Sequence, residues 1–266
     1  MKDINFLVSK GVDVKSSLDL FGNIETYNDT LGEFIVSAPE KLKKLEEYKN
    51  NKDMGNYAIY VHSLKSDSKY FGFNDLANIA LDQEEKSKVG DVFYIQQNFP
   101  LLQDAVGKAL NIANEYLNDT VVVEEEKSIT PGSGEVYSTP TILVVDDSNI
   151  IRNFVKRIFA DKFGVGTAKN GQEAIDIIYS NMDNDNITAI LLDLNMPGVD
   201  GFAVLDYMKD NDLFKKIPVS IISGDSSRST IDKAFTYKIV DMLGKPFNEN
   251  DIKTILEKTM LYKEMQ

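Results

Sequence analysis

Up to about residue 118 the apolar positions recur every three or four residues; from Pro140 they gather into short unbroken runs separated by helical stretches. Tyr27, Leu31, Phe34, Ile35, Ala38, Leu42 and Leu45 form one stripe, and Tyr57, Val61, Leu64, Ser68 and Phe71 a second. Leu76, Ile79, Ala80 and Gln83 follow, and Leu102, Ala105, Val106, Ala109, Ala113, Tyr116 and Leu117 close the series. That period is one face of an α-helix. Amphipathic helices with short connections predict an all-α, antiparallel helical bundle over residues 1–118. Pro39 is expected to kink or divide its helix, because it lacks an N–H and clashes with the preceding turn.

Residues 119–139, DTVVVEEEKSITPGSGEVYST, break both periods and read as a linker. Val121-Val122-Val123 could extend a strand, though no partner is evident. Residues 140–266 alternate strands with helices. Strands are expected at Thr141–Val145, Gly164–Ala168, Thr188–Leu192, Pro218–Ile222 and Ile239–Leu243, with Ser148 capping the first helix. That alternation predicts an α/β domain built on a doubly wound, five-stranded parallel sheet. Ligands of such sheets sit at the carboxyl ends of the strands.

Composition narrows the possibilities. There are no cysteines, so disulfide and thiolate chemistry drop out. The first residues lack the apolar core of a signal peptide, and no run of about 18 apolar residues exists. A cytoplasmic protein without membrane partners is expected. The net charge is -13. From residue 140 onward 15 Lys+Arg face 19 Asp+Glu, and 14 face 23 in the remainder, so both halves are acidic. That argues against a nucleic-acid partner.

The candidate chemistry lies at the expected carboxyl ends. The first strand ends in Asp146-Asp147, the third in Asp193, the fourth in Ser223, and the fifth runs into Gly244-Lys245-Pro246. Clustered carboxylates repel one another unless a cation holds them ionised. An all-oxygen donor set suits magnesium. Lysine supplies a point charge for phosphoryl oxygens. A nucleophilic carboxylate, magnesium, lysine and hydroxyl are the parts of phosphoryl transfer.

This constellation resembles the receiver domain of two-component response regulators, with its flavodoxin-like fold, over roughly residues 140–264. The resemblance implies Asp193 as phospho-acceptor, Asp146, Asp147, Asp193 and the Asn195 carbonyl as Mg2+ ligands, Ser223 as switch hydroxyl and Lys245 as phosphoryl partner. The sequence departs from the family at Met242, three residues before the lysine, where Tyr or Phe is common.

The single histidine, His62, shares a helix face with Lys65, Ser66 and Lys69, while Val61 and Leu64 face the core. An exposed imidazole beside positive charge is expected. The segment resembles the histidine-containing phosphotransfer (Hpt) domain over about residues 10–118, best at His62, Leu64, Lys65, Ser68, Phe71 and Gly72. Gly11-Val12-Asp13-Val14 resembles that family's opening. Ser66 replaces a common glycine. Together the resemblances imply a phosphotransfer signalling protein rather than an ATP-dependent kinase, since no glycine-rich ATP motif is present. Expected partners are a sensor histidine kinase or hybrid kinase and other receiver or Hpt proteins. Two other classes stay open: an adaptor whose receiver is a phosphorylation-controlled binding surface with His62 vestigial, and a metal-dependent hydrolase of small phosphates.

Overall fold

The computed structural model describes residues 3–117, 135–225 and 227–264. They divide into two compact units, with the division after Glu126. Val121–Val123 lies outside the described residues.

The first unit is helical: α1 (Asn5–Ser9), α2 (Val14–Phe21), α3 (Ile24–Asn51), α4 (Met54–Tyr70), α5 (Asn74–Lys88) and α6 (Val92–Leu117). Short polar side chains start three of them. Asp13, Asn23 and Asp53 each accept a backbone N–H from three residues on, satisfying a donor that the first turn leaves without a partner. The α4–α5 turn needs glycine. Gly72 has φ +74, and a Cβ there would lie 2.5 Å from the Asp13 carbonyl oxygen, while Asp13 N–H donates to Gly72 O at 3.0 Å. Phe71 enters the core beside Phe21, Tyr27 and Phe34, with ring centroids 5.2–5.9 Å away.

Pro39 does not divide its helix: α3 runs through it, as α6 runs through Pro100. A proline inside a helix costs about 3 kcal/mol. The buried stripe Leu31, Phe34, Ala38 and Leu45 lies on both sides of Pro39, so a break would also expose apolar surface. The last helix starts ten residues before the stripe at Leu102, at Val92, and Ile95 and Phe99 are buried on it.

The second unit is a parallel sheet of order β2-β1-β3-β4-β5. The strands are β1 (Thr141–Val145), β2 (Gly164–Ala168), β3 (Ile187–Leu192), β4 (Val219–Ser223) and β5 (Met242–Gly244). The helices are α7 (Asn149–Phe159), α8 (Gly171–Ser180), α9 (Gly201–Asp210), α10 (Arg228–Ala234) and α11 (Glu249–Glu264), with a 3-10 turn at Leu213–Lys215. All of β1 and β4 is buried, the expected state of strands covered on both faces. This is the doubly wound, flavodoxin-like architecture the alternation predicts.

Three local expectations change. The fifth strand begins at Met242 rather than Ile239. Ile239 and Val240 approach as a loop, and Val240 N–H donates to Val219 O at 2.8 Å before regular pairing begins. Ser148 occupies the N-cap position of α7, but its hydroxyl makes no capping hydrogen bond. Residues 135–139, read as linker, pack on this unit: Tyr137 lies against the core beneath α8.

Candidate functional site

Both aspartates at the carboxyl ends of β1 and β3 are set by the same turn chemistry. Asp146 Oδ1 accepts Ser148 N–H at 3.0 Å, and Asp193 Oδ1 accepts Asn195 N–H at 3.1 Å. An aspartate that bonds the backbone two residues on makes a tight Asx turn. In each case Oδ2 is left for Lys245, which follows β5. Its Nζ lies 2.5 Å from Asp146 Oδ2 and 2.6 Å from Asp193 Oδ2. Asp193 Oδ2 accepts a hydrogen bond from Nζ, whereas Asp146 Oδ2 has no hydrogen-bonding partner of good geometry among the described residues.

All three groups are buried, and the electrostatics follow. Burial pushes the Asp146 carboxyl up to about 7, against the pull of Lys245. Burial would lower the Lys245 ammonium, but the two carboxylates outweigh it and hold it above its ordinary value. Ser223 sits at the buried end of β4, pairs with Gly244, and accepts Lys245 N–H on its carbonyl at 2.8 Å. Its Oγ accepts Asp225 N–H at 3.2 Å. Met242 is half-buried against the core.

Asp146, Asp147 and Asp193 present carboxylate oxygens within 4.8 Å of one another. An all-oxygen donor set of three clustered carboxylates fits a divalent cation. The backbone around Asp193 is equally constrained. A Cβ at Gly201 would lie 2.2 Å from Asp193 O, and one at Gly171 2.5 Å from Val199 O. Only glycine lets α9 begin so close to Asp193, a role that the sequence pattern alone does not reveal.

The second candidate centres on His62. It is not exposed: 6% of its surface is accessible, and Lys65 is buried with it. The physical reason is that α4 packs against both α3 and α5, so its polar side chains face neighbouring helices rather than water. On one side Lys41 of α3 lies 2.5 Å from Asp67 Oδ2 and donates to Ser63 Oγ at 2.7 Å. On the other, Glu84 of α5 gathers three cationic or polar partners. Its Oε1 lies 2.8 Å from His62 Nδ1 and 2.6 Å from Lys88 Nζ, and its Oε2 lies 2.6 Å from Lys65 Nζ. Lys65 Nζ is also 3.2 Å from His62 Nδ1. Burial alone would raise the Glu84 carboxyl, but the bonds from His62, Lys65 and Lys88 outweigh it and hold it well below the carboxylate range. Lys69 faces solvent instead. The signal for Glu84 is a carboxylate beside Gln83 at the end of an otherwise apolar stripe; two of its partners, His62 and Lys65, stand about 20 positions away on α4.

Comparison with known proteins gives two matches. The family model of the response regulator receiver domain matches residues 142–257, and that of the Hpt domain matches residues 29–111. The autoinducer 1 sensor kinase/phosphatase LuxN of Vibrio campbellii is 29% identical over 178 residues, 65% of this chain and 20% of that protein. Chemotaxis protein CheV1 of Helicobacter pylori is 32% identical over 126 residues, 46% of this chain and 39% of its own length. The chain thus covers about a fifth and two fifths of these relatives. The receiver domain of Francisella response regulator 1452 aligns over 48% of this chain and 100% of its own, at 29% identity and a TM-score of 0.41.

Proposed function

We propose that this chain, an Hpt domain joined to a response regulator receiver domain, is a phosphorelay station that exchanges phosphoryl groups with histidine kinases or hybrid kinases and with other receiver or Hpt proteins. The observation that carries the reading is the buried trio Asp146, Asp193 and Lys245 at the carboxyl rim of the sheet.

At the receiver, an Asp193 carboxylate oxygen attacks the phosphorus of a phospho-histidine. The P–O bond forms as the P–N bond breaks, and the departing imidazole keeps the electron pair. Lys245 shifts from the carboxylates toward the phosphoryl oxygens, where its charge is needed as the bond forms. The Ser223 hydroxyl donates to the same group. Asp146, Asp147, Asp193 and the Asn195 carbonyl would hold magnesium, whose charge neutralises phosphoryl oxygens.

At the Hpt domain the steps reverse. Glu84, kept ionised by its cations, accepts the Nδ1 proton of His62 and leaves the Nε2 lone pair for phosphorus. The contact to Glu84 is shorter than that to Lys65, and a carboxylate needs the proton that an ammonium does not. Lys65 and Lys88, which hold Glu84, would have to leave that carboxylate to reach phosphoryl oxygens on Nε2.

Incubating the full chain with a small acyl phosphate and magnesium should label Asp193, and Asp193→Asn should abolish the label. A phosphorylated partner receiver should label His62, and His62→Gln should stop that transfer. The burial of His62 favours a second reading, an adaptor whose histidine carries nothing. Label on Asp193 with none on His62 from any donor would establish it and overturn the relay.

A further inference from the structure

We propose that residues 135–139 are a strap belonging to the receiver, docked onto the amino-terminal rim of its sheet in a clamp built by Asn181, Asn184 and Asn186. The clamp holds main chain. Tyr137 N–H donates to Asn181 Oδ1 at 2.8 Å, and Asn181 Nδ2 donates to Glu135 O at 2.6 Å. Tyr137 O accepts from Asn186 Nδ2 at 2.6 Å and from Asn184 Nδ2 at 3.3 Å. Asn181 is 1% exposed and also donates to Ile177 O at 2.8 Å, which fixes it to the end of α8. Asn184 Nδ2 in turn donates to Asn181 Oδ1 at 3.0 Å. Such a network grips both polar groups of one residue, the way an extended peptide is recognised.

The side chain of Tyr137 supplies the anchor. Its ring runs over the backbone of Gly166 in β2, where an added Cβ would meet the ring and hydroxyl, with Oη only 1.8 Å away. A glycine inside a strand gives up packing and conformational entropy. Here it makes the room the strap occupies. The ring fills that room, and its hydroxyl is buried with it.

The position of the clamp gives it a consequence. Asn186 O accepts Thr141 N–H at 2.7 Å, so the clamp lies where β1 and β3 begin. The acceptor lies where they end. The five residues of β1 span about 17 Å at 3.3 Å per residue. A docked strap therefore starts the receiver at the rim opposite Asp193, one strand length away.

Hydrogen exchange on the full chain tests this. The peptide covering residues 135–139 should be protected in the wild type. Tyr137→Ala, Asn181→Ala and Gly166→Ala should each speed its exchange about tenfold or more, while Tyr137→Phe keeps it within about twofold. Labelling of Asp193 by acyl phosphate should stay within about twofold in Tyr137→Ala, because the clamp is remote from the acceptor. Unprotected exchange in the wild type, or exchange unchanged by Tyr137→Ala, would overturn the strap. Selective loss of Asp193 labelling in Tyr137→Ala would overturn its separation from the acceptor. Failure of the wild type to label at all would sink the relay and leave the strap standing.

Discussion

Each site turns on one residue that compensates several others of opposite charge. Glu84 serves three cationic or polar partners, and Lys245 serves two carboxylates. The pH dependence of Glu84 has a definite sign. Its folded pKa lies below its unfolded value of about 4.3, so it contributes stability that is complete above that value and is lost as pH falls through the folded pKa. Glu84→Gln should therefore destabilise the Hpt domain near neutral pH, and the deficit should shrink steadily below about pH 4. Urea unfolding across pH checks this; a deficit constant down to pH 2 would refute the charge role. Lys245→Ala strands two buried carboxylates, a change that typically costs about 3–5 kcal/mol. Magnesium should recover part of that stability, since a bound cation replaces the lost charge. If the ammonium also serves the phosphoryl group, magnesium should not recover labelling of Asp193. Melting curves and labelling on the same samples separate the two.

At the scale of elements, the receiver was the more legible half. Continuous apolar runs bounded by turns place four strands within a residue or so, and the strand ends name Asp146, Asp193 and Lys245, which the fold brings into contact. The fifth strand misled, because Ile239 and Val240 are apolar as loop residues packed on β4. The helices misled differently. Periodicity reports which face is apolar but not how many neighbours a helix has, so the polar face of α4 read as solvent-facing. Pro39 shows the limit of a local rule, since packing on both sides outweighs the missing bond. It is itself exposed, so Pro39→Ala should leave the core untouched and stabilise the Hpt domain by up to about 3 kcal/mol. Gly201→Ala should do the reverse in the receiver. Its Cβ would push the Asp193 carbonyl away, lowering both the melting temperature and the rate of acyl phosphate labelling. If Gly201→Ala labels at the wild-type rate, the close approach of α9 does not position the acceptor.

At the scale of the molecule, two units with separate cores carry separate chemistries, and this separability can be measured. The bundle core centres on Phe21, Tyr27, Phe34 and Phe71, and the sheet core on β1, β3 and β4 with α8 and α9. Folding units with their own cores unfold as their own transitions. Calorimetry of the full chain should resolve two transitions. If magnesium binds the Asp146, Asp147 and Asp193 cluster, it should raise one of them, by about 2.7 kcal/mol when present at a hundred times its dissociation constant. Asp193→Asn removes one carboxylate of that cluster and should blunt the rise without moving the other transition. Glu84→Gln should lower the magnesium-insensitive transition alone. A single transition moved by both substitutions would mean that the two domains stabilise one another, and the phosphoryl state of either would then be felt at the other.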